Sequence, residues 1–390
     1  MGKSSKDKRD AYYRLAKEQN WRARSAFKLI QLDEQFDLFS YQDPGKCTRV
    51  VDLCAAPGSW SQVLSRVLIR GESFGRRAWM EKMEKLVHEV KLTREPSPTD
   101  EEIMEELNDL NFKGEKPKLQ PRANVKIVAI DLQPMAPLEG IIQLQADITH
   151  PSTAARMLSA LNPEKSETEF ELVDLVISDG APDVTGLHDL DIHIQSQLLY
   201  SALTLAIRVL RPGGKFVAKI FRGKDVDLIF AQLKLLFTRV HIAKPRSSRA
   251  SSIEAFVVCE NYTPIPGWKP DLGRPVSVPR DTSTIAEADL QKLPEQERIV
   301  KEDGTVELTF PRKEAEKLHK ENRWIAPFLA CGDLDGYDAD ATYRLPEGHV
   351  SLDPVQPPTA PPYKAAIERR RMEGGMYGKT KHKSDQSGIV

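Results

Sequence analysis

Lys28, Asp179, Lys219 and Glu254 are two ammonium and two carboxylate side chains drawn from four distant stretches of a 390-residue chain. Asp179 ends one apolar run. Lys219 sits late in another, Phe216-Val-Ala-Lys-Ile-Phe221, and Glu254 lies at the start of a third, Ile253–Val258. If the first two runs are parallel strands and the third runs antiparallel, all three residues meet at one sheet edge. Lys28, on a helix preceding the first strand, can pack over that edge. Such a group suits activation of a hydroxyl, which is a poor nucleophile until its proton is taken or strongly hydrogen-bonded. An ordinary lysine, with a pKa of about 10.4, is protonated and is no base. A second ammonium and partial burial lower that value, and carboxylates raise it. Lys219 is the candidate to hold or accept the hydroxyl proton, with Lys28 tuning it, Glu254 orienting it and Asp179 orienting Lys219. The same four residues also read as ion pairs at a sheet rim. Lys219 is the least ordinary of them, because an ammonium within an apolar strand needs compensating partners.

Beside this group the run Arg49-Val-Val-Asp-Leu-Cys-Ala-Ala-Pro57-Gly58-Ser-Trp60 reads as a buried strand, a tight turn and a helix start. Ligands of open α/β sheets sit beyond the carboxyl ends of the strands. Gly58 lets the backbone pass close to a ligand, and Trp60 can cover one side of it. Asp131, ending the second strand, can accept from both hydroxyls of a ribose. Asp147, following the third, falls near an adenine amino group. Singly, Asp131 or Asp147 also reads as a turn or helix cap. In order at strand ends, with Asp179, they outline a nucleoside pocket. The turn lacks Gly-x-Gly-x-x-Gly and offers few amides to a pyrophosphate. That favours S-adenosylmethionine over NAD, and a methyl transfer to a ribose hydroxyl of RNA.

Elements must place these residues. Tyr12 to Leu38 has helical spacing, with Arg22 and Arg24 on the exposed side. Strands are expected at Val50–Cys54, Val125–Ile130, Ile141–Gln145, Leu172–Ser178, Lys215–Phe221, Val240–Lys244 and Ile253–Val258. Helices are expected at Ser59–Ile69, His188–Leu210, stopped by Arg211-Pro-Gly-Gly214, and Asp225–Phe237. The alternation predicts an α/β fold, a mostly parallel sheet with one antiparallel strand and helices on both faces. Residues 1–48 read as a basic N-terminal helical segment packing on a catalytic domain at 49–262. An insert at 71–124 is expected to be a surface excursion, partly helical and partly disordered. A C-terminal extension covers 263–353, in which 321–333 reads as an apolar arm packing on the domain, and 354–390 reads as a disordered basic tail.

The net charge of −1 argues against a globally basic nucleic-acid binder. Residues 1–28, however, hold nine Lys/Arg against three Asp/Glu, a local balance of +6, which fits a polyanion bound at one face. Arg22, Arg24, Arg222, Lys244, Arg246 and Arg249 are candidate phosphate contacts, though loop arginines are solvated by default. The 4 cysteines show no metal-ligand spacing, so no metal site is expected and the thiols read as reduced and intracellular. No stretch is apolar for long enough to span a bilayer.

Ser25-Ala-Phe-Lys28-Leu, Val51–Gln62, Ser178-Asp-Gly-Ala-Pro-Asp183, Pro212-Gly-Gly214 with Phe216-Val-Ala-Lys219, and Ser251-Ser-Ile-Glu254 resemble the FtsJ (RrmJ-like) ribose 2′-O-methyltransferases. The resemblance covers Lys8 to about Tyr262 outside the insert, which the family pattern lacks. It implies a Rossmann-like S-adenosylmethionine-dependent methyltransferase sheet and a catalytic tetrad of Lys28, Asp179, Lys219 and Glu254. It implies cofactor contacts at Gly58, Trp60, Asp131, Asp147 and Asp179. Asp131–Pro137, Asp183–Asp189, Lys244–Arg249 and Phe328–Asp333 look most like the eukaryotic, fungal-like tRNA anticodon-loop branch. That branch implies a cytoplasmic enzyme acting on tRNA nucleotides 32 and 34. It also implies separate auxiliary proteins, of WD-repeat and helical-repeat type, that choose the position. The runner-up is the same chemistry on ribosomal RNA. A non-catalytic RNA-binding scaffold and a nicotinamide oxidoreductase are the readings from other classes. The complete tetrad and the glycine-poor turn respectively disfavour them.

Overall fold

The central strands of the sheet, at Arg49–Leu53, Lys126–Asp131 and Val173–Ser178, are largely apolar and buried on both faces, the requirement for parallel sheets. The computed structural model describes residues 10–93, 121–163, 171–182, 187–223, 226–264, 297–300, 306–309, 327–333 and 336–356. In chain order its helices are α1 (Ala11–Glu18), α2 (Ala26–Phe36), α3 (Ser59–Leu64, extended by a π-turn at Ser65–Ile69), α4 (Arg76–Thr93), α5 (Ser152–Leu161), α6 (His188–Val209) and α7 (Val226–Lys234). Its strands are β1 (Arg49–Leu53), β2 (Lys126–Asp131), β3 (Ile141–Gln145), β4 (Val173–Ser178), β5 (Leu210–Phe221), β6 (Phe237–Pro245), β7 (Glu254–Tyr262), β8 (Glu297–Val300), β9 (Val306–Thr309) and β10 (Phe328–Cys331). β8 and β9 pair only with each other.

The main sheet has eight strands in the order β10-β6-β7-β5-β4-β1-β2-β3. β7 is antiparallel to both neighbours and every other pairing is parallel. This is the doubly wound α/β sheet that the alternation of apolar runs predicts. One core lies under α5, α6 and α7, with Met157, Leu205 and Phe230 among its members. The other lies under α2 and α3, with Leu29, Leu32 and Leu64. The register puts Leu53 opposite Ser178, and Ser178 opposite Ala218. It also sets Phe221 opposite Glu254. The carboxyl ends of β1, β4 and β5 and the start of β7 therefore share one edge.

Several elements differ from the sequence expectation. The stretch from Tyr12 to Leu38 is two helices, not one. Asn20 takes a left-handed backbone, φ 58°, and the amide of Trp21 closes on the carbonyl of Ala16. Trp21 is buried against Phe74. Arg22 and Arg24 then lie half-buried in the connection rather than on an exposed helix face. α6 ends at Val209, next to the expected stop, and β5 begins at Leu210, so Arg211-Pro-Gly-Gly214 also forms an irregular strand start. α5 was not anticipated, although Ala154, Met157, Leu158 and Leu161 form its buried stripe. Phe328–Cys331 adds β10 to the sheet, parallel to β6.

Of the insert, α4 packs on α2: Met80 is buried, and Asp33 of α2 accepts from the amide of Arg76 at 2.7 Å. Residues 94–120, including the second helical pattern, lie outside the described residues, as do 357–390. Among the described residues no helix is long and apolar enough to cross a membrane. Gly75 fixes the entry to α4. Its φ is +63°, and a Cβ there would lie 2.1 Å from the Asp33 carboxylate. Gly75→Ala is expected to destabilise the fold by about 1–3 kcal/mol or more, read as a lower Tm with early protease cleavage at the start of α4.

Candidate active site

Glu254 opens β7 and sits between the two lysines. Its carboxylate oxygens lie 2.7 and 2.8 Å from Lys28 Nζ and one of them lies 3.5 Å from Lys219 Nζ. The Ser248 hydroxyl donates to it at 2.7 Å. Lys219, 7% exposed on β5, lies 2.6 Å from the Asp179 carboxylate and donates to the Asp179 carbonyl at 2.9 Å. The four predicted residues thus form one continuous network, with both lysines directed at the same carboxylate.

Burial opposes charge on Lys219, but Asp179 and Glu254 outweigh it and hold the ammonium pKa above its ordinary value. Burial likewise opposes charge on Glu254, yet Lys28 and Lys219 hold its carboxyl well below the usual range. Lys28 reaches Lys219 through Glu254. The expected direct tuning of one ammonium by the other is replaced by a shared anion, so in the free protein Lys219 is a proton donor.

Next to the network, past the ends of β1, β2 and β4, lies a cavity of about 590 Å³, within the range of cofactor pockets. Asp131, Asp147 and Asp179 line it with Cys54, Ile148, Pro182 and Leu198, and no lysine or arginine does so among the described residues. Asp131 accepts the amides of Ala56 at 2.8 Å and Gln133 at 2.7 Å, one on each oxygen. Asp147 accepts the amide and hydroxyl of Thr149, and these bonds hold its pKa below the ordinary value. Each Asp131 oxygen keeps a second acceptor site, and on Asp147 both bonds fall on Oδ1, which leaves Oδ2 open. An apolar, acidic pocket of this size fits a cationic nucleoside with free hydroxyls and repels a pyrophosphate.

Residues 21–262 match the model of the FtsJ-like methyltransferases. The chain belongs to that family. It is similar to a tRNA (cytidine(32)/guanosine(34)-2′-O)-methyltransferase of Schizosaccharomyces pombe, 50% identical over 94% of this chain and 97% of the relative. It is 43% identical to the Homo sapiens protein of the same description, over 95% of this chain and 86% of that one. An AdoMet-dependent rRNA methyltransferase of Candida glabrata is 34% identical over 67% of this chain and 23% of its own length.

Within this methyltransferase site, Trp60 and Gly58, both expected at the cofactor, also have structural partners inside the protein. Trp60 does not cover the cavity. It is 1% exposed, tilted against Phe256 with ring centroids 5.6 Å apart, and its indole N–H donates to the Ser25 carbonyl. It fixes the approach of α2, and hence of Lys28. Gly58 does not line the cavity either. Its φ is +97°, and a Cβ would meet the Arg22 guanidinium at 2.6 Å.

The candidate RNA contacts divide in the same way. Arg22 donates to the carbonyls of Pro57, Ala136 and Pro137, clamping the turn after β1 to the loop between β2 and β3. Arg24 and Arg249 both pair with Asp10. Lys244 donates to the carbonyls of Ala250 and Ser252, and Arg246 to that of Asp333. Arg222 is exposed, its guanidinium 5.1 Å from the ring of Phe328.

One positioning residue escaped the sequence reading. Gln195 of α6, 3% exposed, donates its amide to the carbonyls of Gly180 at 3.0 Å and Lys219 at 2.9 Å. It locks the Asp179 turn to the strand carrying Lys219. A buried Gln within Ile-Gln-Ser-Gln-Leu-Leu was the available signal.

Two outcomes follow from this wiring. Glu254 has a depressed folded pKa, so its stabilisation is complete above the unfolded value of 4.5 and fades as pH falls below it. Glu254→Gln should cost about 3 kcal/mol or more at pH 7 and flatten the acid limb of Tm between pH 5 and about 3, measured calorimetrically. Gln195→Leu leaves two buried carbonyls without their donor, a loss of about 1–3 kcal/mol. Its turnover should fall more than its affinity for S-adenosylhomocysteine. Gln195→Glu should be worse at neutral pH and partly recover in acid, where a protonated carboxyl again donates.

Proposed function

We propose that this protein transfers a methyl group from S-adenosylmethionine to the ribose 2′-hydroxyl of nucleotides 32 and 34 in the tRNA anticodon loop. Auxiliary proteins of WD-repeat and helical-repeat type, implied by the branch resemblance, select the position. The observation that carries the reaction is the closed Lys28–Glu254–Lys219–Asp179 network beside an acidic, apolar cavity. The substrate rests on similarity along nearly the whole chain to proteins described by that activity.

In this reading Asp131 accepts ribose hydroxyls, Asp147 meets the adenine side and Asp179 borders the methionine end. When bound, the cofactor would supply an electrophilic methyl on a cationic sulfur; making the O–CH₃ bond and breaking the S–CH₃ bond would release the hydroxyl proton to solvent water. Lys219 holds the acceptor oxygen from its ammonium, oriented by Asp179 and Glu254, while Lys28 fixes Glu254. Holding the reacting atoms in line supplies a further large part of the rate.

The test is nucleoside mass spectrometry of tRNA and ribosomal RNA pools incubated with the protein, methyl donor and cell extract. 2′-O-methylcytidine and 2′-O-methylguanosine should appear in tRNA, at nucleotides 32 and 34. Lys219→Ala should lower turnover by at least about 100-fold with cofactor affinity nearly unchanged. Product confined to ribosomal RNA would overturn the substrate, and lost cofactor binding in Lys219→Ala would reassign that lysine to the cofactor site.

A further inference from the structure

Phe328 is the first residue of β10 and is 50% exposed, although its strand is hydrogen-bonded into the main sheet next to β6. Its ring faces the guanidinium of Arg222 at 5.1 Å. Arg222 directly follows β5, three residues after Lys219. Its amide donates to the carbonyl of Ile253 at 2.8 Å, the residue before Glu254. The pair is therefore anchored at the catalytic rim. The other cations of that rim spend their donors inside the protein, Lys244 on two carbonyls and Arg246 on a third.

We propose that Arg222 and Phe328 form a stacking platform for an unpaired RNA base beside the methylated ribose. The inference rests on the RNA 2′-O-methylation reading and names a binding element for it. A flat guanidinium over a ring offers a base a π-surface and a phosphate a bidentate donor. Stacking reads no base edge, because every base has a π-face. A platform of this kind suits an enzyme that must accept both a cytidine and a guanosine at its catalytic centre. The local charge agrees: burial, and then the charge of Arg222, push the Lys244 ammonium below its ordinary pKa, which places two cations close together where a phosphate would neutralise them. A leucine at 328 keeps an apolar side chain on the strand but removes the π-face, so the chemistry separates from folding.

The experiment is the KM for the methylated RNA in the complete assay, with S-adenosylhomocysteine affinity as the control for folding. Phe328→Leu should raise KM about 5- to 150-fold, as loss of one stacked base does, with kcat within about twofold. Phe328→Trp should restore KM. Arg222→Lys, which keeps charge and loses the plane, should fall between wild type and Arg222→Ala. An unchanged KM in Phe328→Leu overturns the platform and leaves the methyltransferase reading intact. An unchanged KM with loss of a co-purifying protein makes the face a protein contact and also overturns it. A wild-type enzyme that methylates no RNA ends both readings together.

Discussion

A carboxylate held between two ammonium groups is the constraint around which this protein is arranged. Glu254 is bonded to Lys28 from α2 and faces Lys219 from β5, so an N-terminal helix and two central strands must converge within hydrogen-bonding reach. Charges removed from water in this way are costly unless each has a partner. Here two positive side chains meet two negative ones, and Ser248 and the Asp179 carbonyl take further donors and acceptors. Loss of Glu254 leaves the Lys28 ammonium without its carboxylate and Lys219 with Asp179 alone. Stability and chemistry are consequently carried by the same contacts, and the antiparallel direction of β7 is what delivers the start of that strand to the edge where the parallel strands end.

A second layer of charge holds the surrounding segments in place. Asp10, 1% exposed, caps α1 through the amide of Tyr13 and pairs with Arg24 and Arg249. Arg246 and Lys82 both reach Asp333, tying the turn after β6 and helix α4 to the chain beyond β10. The basic character of the N-terminal region is thus partly consumed in assembling the rim. A guanidinium bonded to three backbone carbonyls, as Arg22 is, has few donors left for a phosphate.

The sheet was legible because its strands are short, apolar and bounded by turn residues, and the four catalytic candidates because charge at the ends of such strands is rare. The direction of the Trp60 side chain is not legible without the helix phase. The indole points from α3 into the core against Phe256 rather than toward the strand ends, and no local pattern distinguishes the two directions. Nor is it legible that the missing Cβ of Gly58 makes room for Arg22 from a segment 36 positions earlier. Gln195 was overlooked because its two acceptors, at Gly180 and Lys219, are backbone carbonyls and leave no mark in composition. β10 gains its pairing only from β6, more than 80 residues away, so its apolar pattern alone could suggest packing but not strand order. Contacts of long sequence separation account for each of these differences.

The resting network also bears on how a lysine with a raised proton affinity can serve a hydroxyl. In the free protein Asp179 and Glu254 stabilise the Lys219 ammonium, and the cavity beside it is lined by carboxylates alone among its charged groups. A cation settling there opposes the ammonium and competes for Asp179, and both effects lower the affinity of Lys219 for its proton. A less tightly held proton makes the ammonium a stronger hydrogen-bond donor to an acceptor oxygen. Glu254 stays fixed throughout, because Lys28 grips it from the other side. The second lysine is therefore the anchor that keeps Glu254, and through it the Lys219 ammonium, in place.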